Sequence, residues 1–390
     1  MRILQVVAYY PPHLGGLERH VEALSRKLAE AGHQVTVYTA NVPRLKPVEV
    51  VDGVDVRRFR SLAAPLGNPL TPGLLGKLLE NDRFDVVHTH VHYHMCSNLT
   101  VLSNVFRRRP LVLTCHGLEL GYRGWKRALE LVYNRTVGWW TFRSADRVIA
   151  LTPTLADMVE QFGAKRDRTV VVPGWIEPIS AGVRGDPAGF RAAYGFAGKK
   201  LVVFAGRLLP AKGLSYLVDA TKQCQSGPTV AIIGDEAPGY AGCKESLTQQ
   251  VKRLGLEKKV LFLGRFTRED LEAAYEAADL FVLPSLGEGL PVSVLEAMSH
   301  GRCALGTDVV GIRDVIRDGW NGALVEAKNP AALAQRIDAL MGDDELRARL
   351  GAQARRDVEQ NYTARAVLGK IVDVYREAME SRNPGHGVEA

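Results

Sequence analysis

The chain has 390 residues, 46% of them apolar and 24% charged, which is too long for one hydrophobic core and suits a globular protein of two domains. Met1-Arg-Ile-Leu-Gln-Val-Val runs straight into a strand with no secretory leader, and no apolar run reaches the ~20 residues that span a bilayer, so a secreted or membrane-spanning protein is not expected. The net charge of +7 is concentrated in one half: residues 1–175 carry 23 Lys and Arg against 15 Asp and Glu, and the remainder 27 against 28. That asymmetry fits an anionic partner, whether a phosphorylated acceptor, an anionic membrane surface or nucleic acid, and it also fits an ordinary basic surface. Cys96, Cys115, Cys224, Cys243 and Cys303 lack metal-ligand spacing and read as reduced, structural thiols of a cytoplasmic protein.

Along the chain, Ile3–Ala8 reads as an apolar strand. Gly15-Gly16 opens a helix with apolar residues at Val21, Leu24 and Leu28, and Gly32 ends it. Strands follow at Val35–Thr39, Val54–Phe59, Asp85–Thr89, Leu111–Thr114, Arg147–Leu151 and Thr169–Val172. The second half repeats the logic at Lys200–Ala205, Thr229–Ile233, Lys259–Leu263, Leu280–Pro284 and Cys303–Gly306, with a helix at Arg268–Ala278. Strand–helix alternation with fully apolar strands predicts an α/β chain of two doubly wound, Rossmann-like parallel sheets facing across a cleft. The expected domains are 1–175 and 190–363, joined through a Gly/Pro-rich hinge around Pro173–Tyr194. In such sheets ligands bind beyond the carboxyl ends of the strands, where the motifs below fall.

Glu288-Gly-Leu-Pro-Val-Ser-Val-Leu-Glu296 follows one predicted strand. Glu288 sits in a loop and Glu296 in the first turns of a helix. The intervening Gly289, Leu290 and Pro291 lead into that helix, whose N-terminal N–H groups favour anions. Phe204-Ala-Gly-Arg207-Leu-Leu-Pro-Ala-Lys212-Gly213 follows another strand. Two cations five residues apart on a Gly-flanked loop can grip a diphosphate, Arg as a planar fork and Lys as a mobile point charge. The loop Tyr9-Tyr-Pro-Pro-His-Leu-Gly15-Gly16 is not Gly-x-Gly-x-x-Gly, so a dinucleotide fingerprint is not supported. Its paired glycines still let backbone approach a ligand closely, and the helix behind them suits phosphate. His88, His90, His92 and His94 alternate and on an extended strand would share one face, open either to a metal or to the hydroxyls of an acceptor. Between Gly121 and Trp140, Trp, Tyr and Arg mix as at a membrane interface, near Arg107-Arg108-Arg109.

The two-glutamate segment, with its Pro-Ser before and Glu-Ala-Met after, resembles the signature of the retaining, nucleotide-sugar-dependent glycosyltransferases of family four, which have the GT-B fold. The resemblance runs over nearly the whole chain. It implies that Glu296 holds the ribose hydroxyls, that Glu288 contacts the donor sugar and that Arg207 and Lys212 bind the diphosphate. It further implies that the Gly16 amide, with Gly15 the near alternative, meets the distal phosphate, that His116 of Thr114-Cys-His116-Gly117 reaches the donor sugar and that Phe266 lies near the base. A last helix, 364–380, would cross back to the first domain. The chain departs from the family at Ala211, where Glu is usual, and at Pro173-Gly-Trp175-Ile-Glu177, where Pro-Asn-Gly-Val-Asp is usual.

The expectation is a retaining transfer of a hexose from a UDP- or GDP-sugar to a hydroxyl of a carbohydrate, lipid-linked or cell-envelope acceptor. No Asp-x-Asp follows a strand, so neither a metal nor a cofactor is expected, the cations and the Gly16 amide meeting the charge of the leaving diphosphate. A peripheral position at the cytoplasmic membrane face, through the basic first domain, is a further expectation. No helix-turn-helix, zinc or RNA-binding signature appears, so nucleic acid is not an expected partner. Two alternatives stay open: a nucleotide-sugar epimerase of the same architecture, and a non-catalytic anion- or membrane-binding protein.

Overall fold

The computed structural model describes residues 1–13, 15–80, 83–118, 125–177, 185–236 and 240–382. The chain divides into two units, one made of residues 1–175 together with 364–390 and the other of residues 176–363.

In the first unit the elements run β1 (Arg2–Val6), α1 (Gly16–Glu30), β2 (Gln34–Ala40), β3 (Val48–Val51), β4 (Val54–Phe59), α2 (Pro72–Leu79), β5 (Val86–His90), α3 (Met95–Arg107) and β6 (Leu111–Cys115). They continue with α4 (Trp125–Tyr133), α5 (Trp139–Ser144), β7 (Arg147–Ala150), α6 (Pro153–Gln161) and β8 (Thr169–Val171). The sheet order is β3-β4-β2-β1-β5-β6-β7-β8, parallel throughout except that β3 runs antiparallel to β4. β1 therefore sits inside the sheet, and its Ile3, Leu4 and Val6 are fully buried. The edge strand β3 escapes the sequence reading because Val48 and Val50 face solvent, so no buried alternation marks it. A tighter signal was present: Asp52-Gly53, both at positive φ, close the β3–β4 hairpin in the way an Asp-Gly pair favours.

In the second unit the elements are α7 (Pro187–Ala193), β9 (Leu201–Ala205), α8 (Leu214–Gln223), β10 (Thr229–Ile233), α9 (Cys243–Arg253), β11 (Val260–Gly264), α10 (Arg268–Ala277) and β12 (Leu280–Leu283). There follow α11 (Val292–Ser299), β13 (Ala304–Thr307), α12 (Ile312–Val315), β14 (Ala323–Val325), α13 (Pro330–Met341) and α14 (Asp344–Asn361). The wholly parallel order is β11-β10-β9-β12-β13-β14. β9 and β12 are neighbours at the point where strand order reverses, which is where a crevice opens in doubly wound sheets. β9, β10 and β12 are buried on both faces, from Leu201 and Val230 to Leu283, so helices must cover both sides. The unit is entered and left at one place: Ile176 N–H donates to the Tyr362 carbonyl at 3.0 Å.

The last helix, α15 (Ala364–Arg382), belongs to the first unit. Val367, Ile371, Val374, Tyr375 and Ala378 form its apolar stripe and share a core with Ile3, Val21, Leu24 and Ile149. Each buried Val or Ile of that stripe stabilises by about 1.5–3 kcal/mol, so this helix is an integral layer of the unit rather than a tail. Of the Pro173–Tyr194 segment read as a hinge, residues 178–184 lie outside the described residues.

Candidate functional site

In the second unit the site grows from the loops that follow β9 and β12. Gly213, at φ +66, ends the Arg207–Lys212 loop and opens α8. A Cβ there would lie 2.0 Å from the Pro284 carbonyl oxygen, so only glycine lets the two loops touch backbone to backbone. Leu286 N–H then donates to the Ala211 carbonyl at 2.8 Å. The third loop joins at Gly311, φ +82, whose Cβ would meet the Glu288 carbonyl at 2.4 Å, and Glu288 N–H donates to Val310 O at 3.1 Å.

This packing brings Lys212 and Glu288 together. Lys212 Nζ donates to Glu288 Oε1 at 2.6 Å, and Ser285 Oγ donates to the same oxygen at 2.5 Å. The Thr307 hydroxyl fixes Ser285 by donating to its carbonyl oxygen. Lys212 and Glu288 side chains are 19% and 11% exposed, so the pair is largely desolvated yet still touches solvent. Lys212 passes 3.9 Å from the Cβ position at Gly206, one residue from the exposed Arg207, so both cations stand at one loop mouth. Glu296, the fifth residue of α11, accepts the Tyr275 hydroxyl at 2.7 Å. Burial first, and then the Glu296 charge, hold the Tyr275 phenol well above its usual range, so it remains a donor. Gly289, Leu290 and Pro291 lead into α11, which has no side-chain cap on its first turn. Phe266 packs its ring into an aromatic cluster, 5.8 Å from Tyr194 and 6.0 Å from Phe190.

In the first unit Gly15 precedes α1 in extended backbone. The Glu18 carboxylate, 7% exposed and 3.1 Å from His13 Nδ1, fills the place a Gly15 Cβ would take, whereas a Cβ on Gly16 would meet open space. Leu14 lies outside the described residues. His116 follows β6 and meets His20 of α1, rings 5.2 Å apart, while Trp175 lies 5.0 Å from His20. His90 Nδ1 is 3.3 Å from His116 Nε2. Desolvation lowers His20 to about 4 and holds His116 well below the usual imidazole value, so this corner is neutral at physiological pH.

The expected row of four imidazoles needs correction. β5 ends at His90, and Val91 takes φ +66, so the alternation breaks. His88 and His90 stay together, rings 4.2 Å apart, whereas His92 turns to Asn134 at 3.0 Å and stacks on Phe142. A β-branched residue in that region is strained by about 1–3 kcal/mol, which the fully buried β5 absorbs. Among the described residues no group of three His, Cys, Asp or Glu could hold a metal ion, and no helix is long and apolar enough to cross a membrane. The sequence reading missed Tyr275, Glu18, His20, Gln5 and Tyr375, because nothing in their local pattern tells which polar atom a core tyrosine or a strand glutamine will meet. Ser285 stood in plain view within the Pro-Ser turn.

Residues 190–357 match the family of glycosyl transferases group 1, and residues 14–178 match Glycosyltransferase Family 4. A D-inositol 3-phosphate glycosyltransferase of Nocardia farcinica is 31% identical over 87% of this chain and 80% of its own length. An uncharacterized glycosyltransferase of Methanocaldococcus jannaschii is 27% identical over 97% of this chain and 99% of its own. Among solved structures, HepE of Anabaena in complex with UDP-glucose superposes with a TM-score of 0.80 at 22% identity, covering 96% of this chain and 99% of that one. WaaG, a glycosyltransferase involved in lipopolysaccharide biosynthesis, does so with a TM-score of 0.71 at 18% identity, covering 96% and 99%. These likenesses make the fold GT-B.

Proposed function

The chain belongs to the group 1, family 4 glycosyltransferases, and from that membership we propose that it moves a hexose from a nucleoside diphosphate sugar to a hydroxyl acceptor with retention, and without a metal ion. The observation that carries this reading is the Lys212–Glu288 pair. A diphosphate offers Lys212 a stronger anionic partner than one carboxylate, so donor binding exchanges the pair: Lys212 turns with Arg207 to the phosphates, and Glu288 is released toward the sugar hydroxyls. Glu296 holds the ribose hydroxyls, with Tyr275 fixing its carboxylate. The N–H groups of Gly289 and Leu290, and the amide of Gly16, add donors to the phosphate oxygens. His116 touches the donor sugar, and Phe266 supports the base through its backbone. The bond from the anomeric carbon to the phosphate oxygen breaks, and the bond to the acceptor oxygen forms on the same face. The departing phosphate oxygen takes the acceptor's proton, and the cations meet its developing charge. UDP-glucose in the Anabaena neighbour supports a uridine donor over a guanosine one.

For the acceptor, the basic first half and the inositol-phosphate relatives support a hydroxyl compound that carries an anionic group. A lipid-linked form of such an acceptor is the second reading. It is supported by Leu102, Val105, Phe106, Val132 and Trp139, all exposed on the first unit. The test is a melting-temperature panel with UDP, GDP and ADP in EDTA, followed by transfer assays with inositol phosphates and with lipid-linked sugars. A ligand of the native state raises the melting temperature by mass action. A shift with one diphosphate in EDTA supports the reading, and no shift with any of the three removes it.

A further inference from the structure

Gln5 is the one buried polar side chain of β1, set between the apolar Leu4 and Val6, and it is 0% exposed. A buried amide must be paired at both ends, and its two ends are not equivalent: the oxygen only accepts and the nitrogen only donates. Gln5 Oε1 lies 2.9 Å from His90 Nε2, and Gln5 Nε2 lies 3.0 Å from the Tyr375 hydroxyl. The register explains the meeting, because Gln5 stands opposite His88 on β5 and His90 lies two residues on, on the same face.

We propose that Gln5 is a positioning residue that fixes, through His90, which ring nitrogen of His116 carries the proton. Gln5 Oε1 can only accept, so His90 Nε2 must hold the hydrogen. His90 is neutral, so its Nδ1 is a lone pair, and the facing His116 Nε2 must donate to it across their 3.3 Å. His116, neutral too, is left with an unprotonated Nδ1. The same polarity runs the other way along the chain. Tyr375 accepts from Gln5 and gives its own hydrogen to His88 Nδ1 at 2.8 Å, and His88 Nε2 donates to Thr114 Oγ1 at 2.7 Å. One amide of β1 thus orders three imidazoles, a phenol and a threonine drawn from β5, β6, the residue after β6 and α15.

The surroundings keep the order from being undone by a second proton. His20 of α1 faces His90 and His116 from the side, and no carboxylate is among the groups that perturb either ring. Burial first, and then neighbouring imidazoles, hold His90 well below its usual value, and burial with His20 takes His88 down to about 3. A hydrogen-bond acceptor at His116 Nδ1 complements a donating sugar hydroxyl. That consequence rests on the role given above to His116, whereas the proton assignment does not.

The experiment is long-range proton–nitrogen NMR of the ¹⁵N-labelled full chain, with His90 and His116 assigned by His90→Gln and His116→Gln. The expected wild-type pattern is Nε2–H on both rings, and Nδ1–H on His116 overturns the proposal without any variant of Gln5. Gln5→Glu sharpens the test. A carboxylate accepts at both ends, so His90 gains an anionic partner, binds a second proton and donates from Nδ1, driving the His116 proton to its Nδ1. An unchanged His116 spectrum in folded Gln5→Glu also overturns it. Should that variant not fold, Gln5→Met removes the acceptor and leaves His116 a mixture of tautomers, whereas one retained tautomer overturns the proposal. In Gln5→Glu, kcat/KM for transfer is expected to fall about tenfold, the size of one hydrogen bond to the substrate, while the Kd of UDP alone stays the same. A tautomer switch with full kcat/KM supports the proton assignment and removes His116 from the sugar site.

Discussion

The two units carry polar sites of opposite character. In the second, charged groups stand at a loop mouth, largely buried and neutralised in a pair: Lys212 with Glu288, beside the exposed Arg207. In the first, His88, His90 and Gln5 are buried and uncharged, each satisfied by hydrogen bonds. A largely buried charged pair needs a counter-charge at all times, and an arriving diphosphate supplies one as Lys212 leaves the carboxylate. A buried neutral network has no such exchange open to it, and its worth lies in fixing proton positions. The first arrangement suits binding and release, the second orientation.

The comparison is most easily broken at the cations. Arg207→Ala/Lys212→Ala should lower kcat/KM by about 10³-fold or more, roughly 4 kcal/mol of lost stabilisation of developing charge, with an unchanged circular dichroism spectrum. Full transfer in that double variant would end the diphosphate assignment. Next comes the loop contact: Gly213→Ala places a methyl against the Pro284 carbonyl at positive φ and should cost about 3 kcal/mol in urea unfolding. A neutral effect would mean the loops are not held backbone to backbone.

The neutral network makes its own prediction against pH. His20 and His88 are lowered in the folded chain, to about 4 and about 3, so the unfolded chain takes up the proton first. Their contribution is whole above about pH 6.5 and is lost as the pH falls toward those values. Unfolding free energy should be level from pH 8 to 7 and then fall by up to roughly 1.4 kcal/mol per pH unit for each such histidine. His88→Gln should flatten that slope, and an identical slope would show that His88 is not held neutral. The smallest effect is at Tyr275→Phe, which removes one hydrogen bond to Glu296 and should weaken UDP binding about fivefold by calorimetry, or about 1 kcal/mol.

Legibility followed contiguity. The parallel sheets were readable because β9, β10 and β12 are short apolar runs between helices, and the two candidate segments because Arg207–Gly213 is one loop and Glu288–Glu296 one loop running into α11. β14 has three residues, too few to show a period. The histidine row misled because alternation in sequence equals alternation in space only while the backbone stays extended, and Val91 leaves that region.

The sequence alone determined the strand–helix alternation, the cationic loop, the paired glutamates and the basic first half, since each is a local pattern or a sum. Only the tertiary structure decided that Lys212 meets Glu288, that Tyr275 meets Glu296, and that Gln5, His90, His116 and Tyr375 form one chain of hydrogen bonds. Those partners lie 76, 21 and up to 370 residues apart, and a hydrogen bond across such separations exists only once sheet register and helix packing have put both atoms within 3 Å or so.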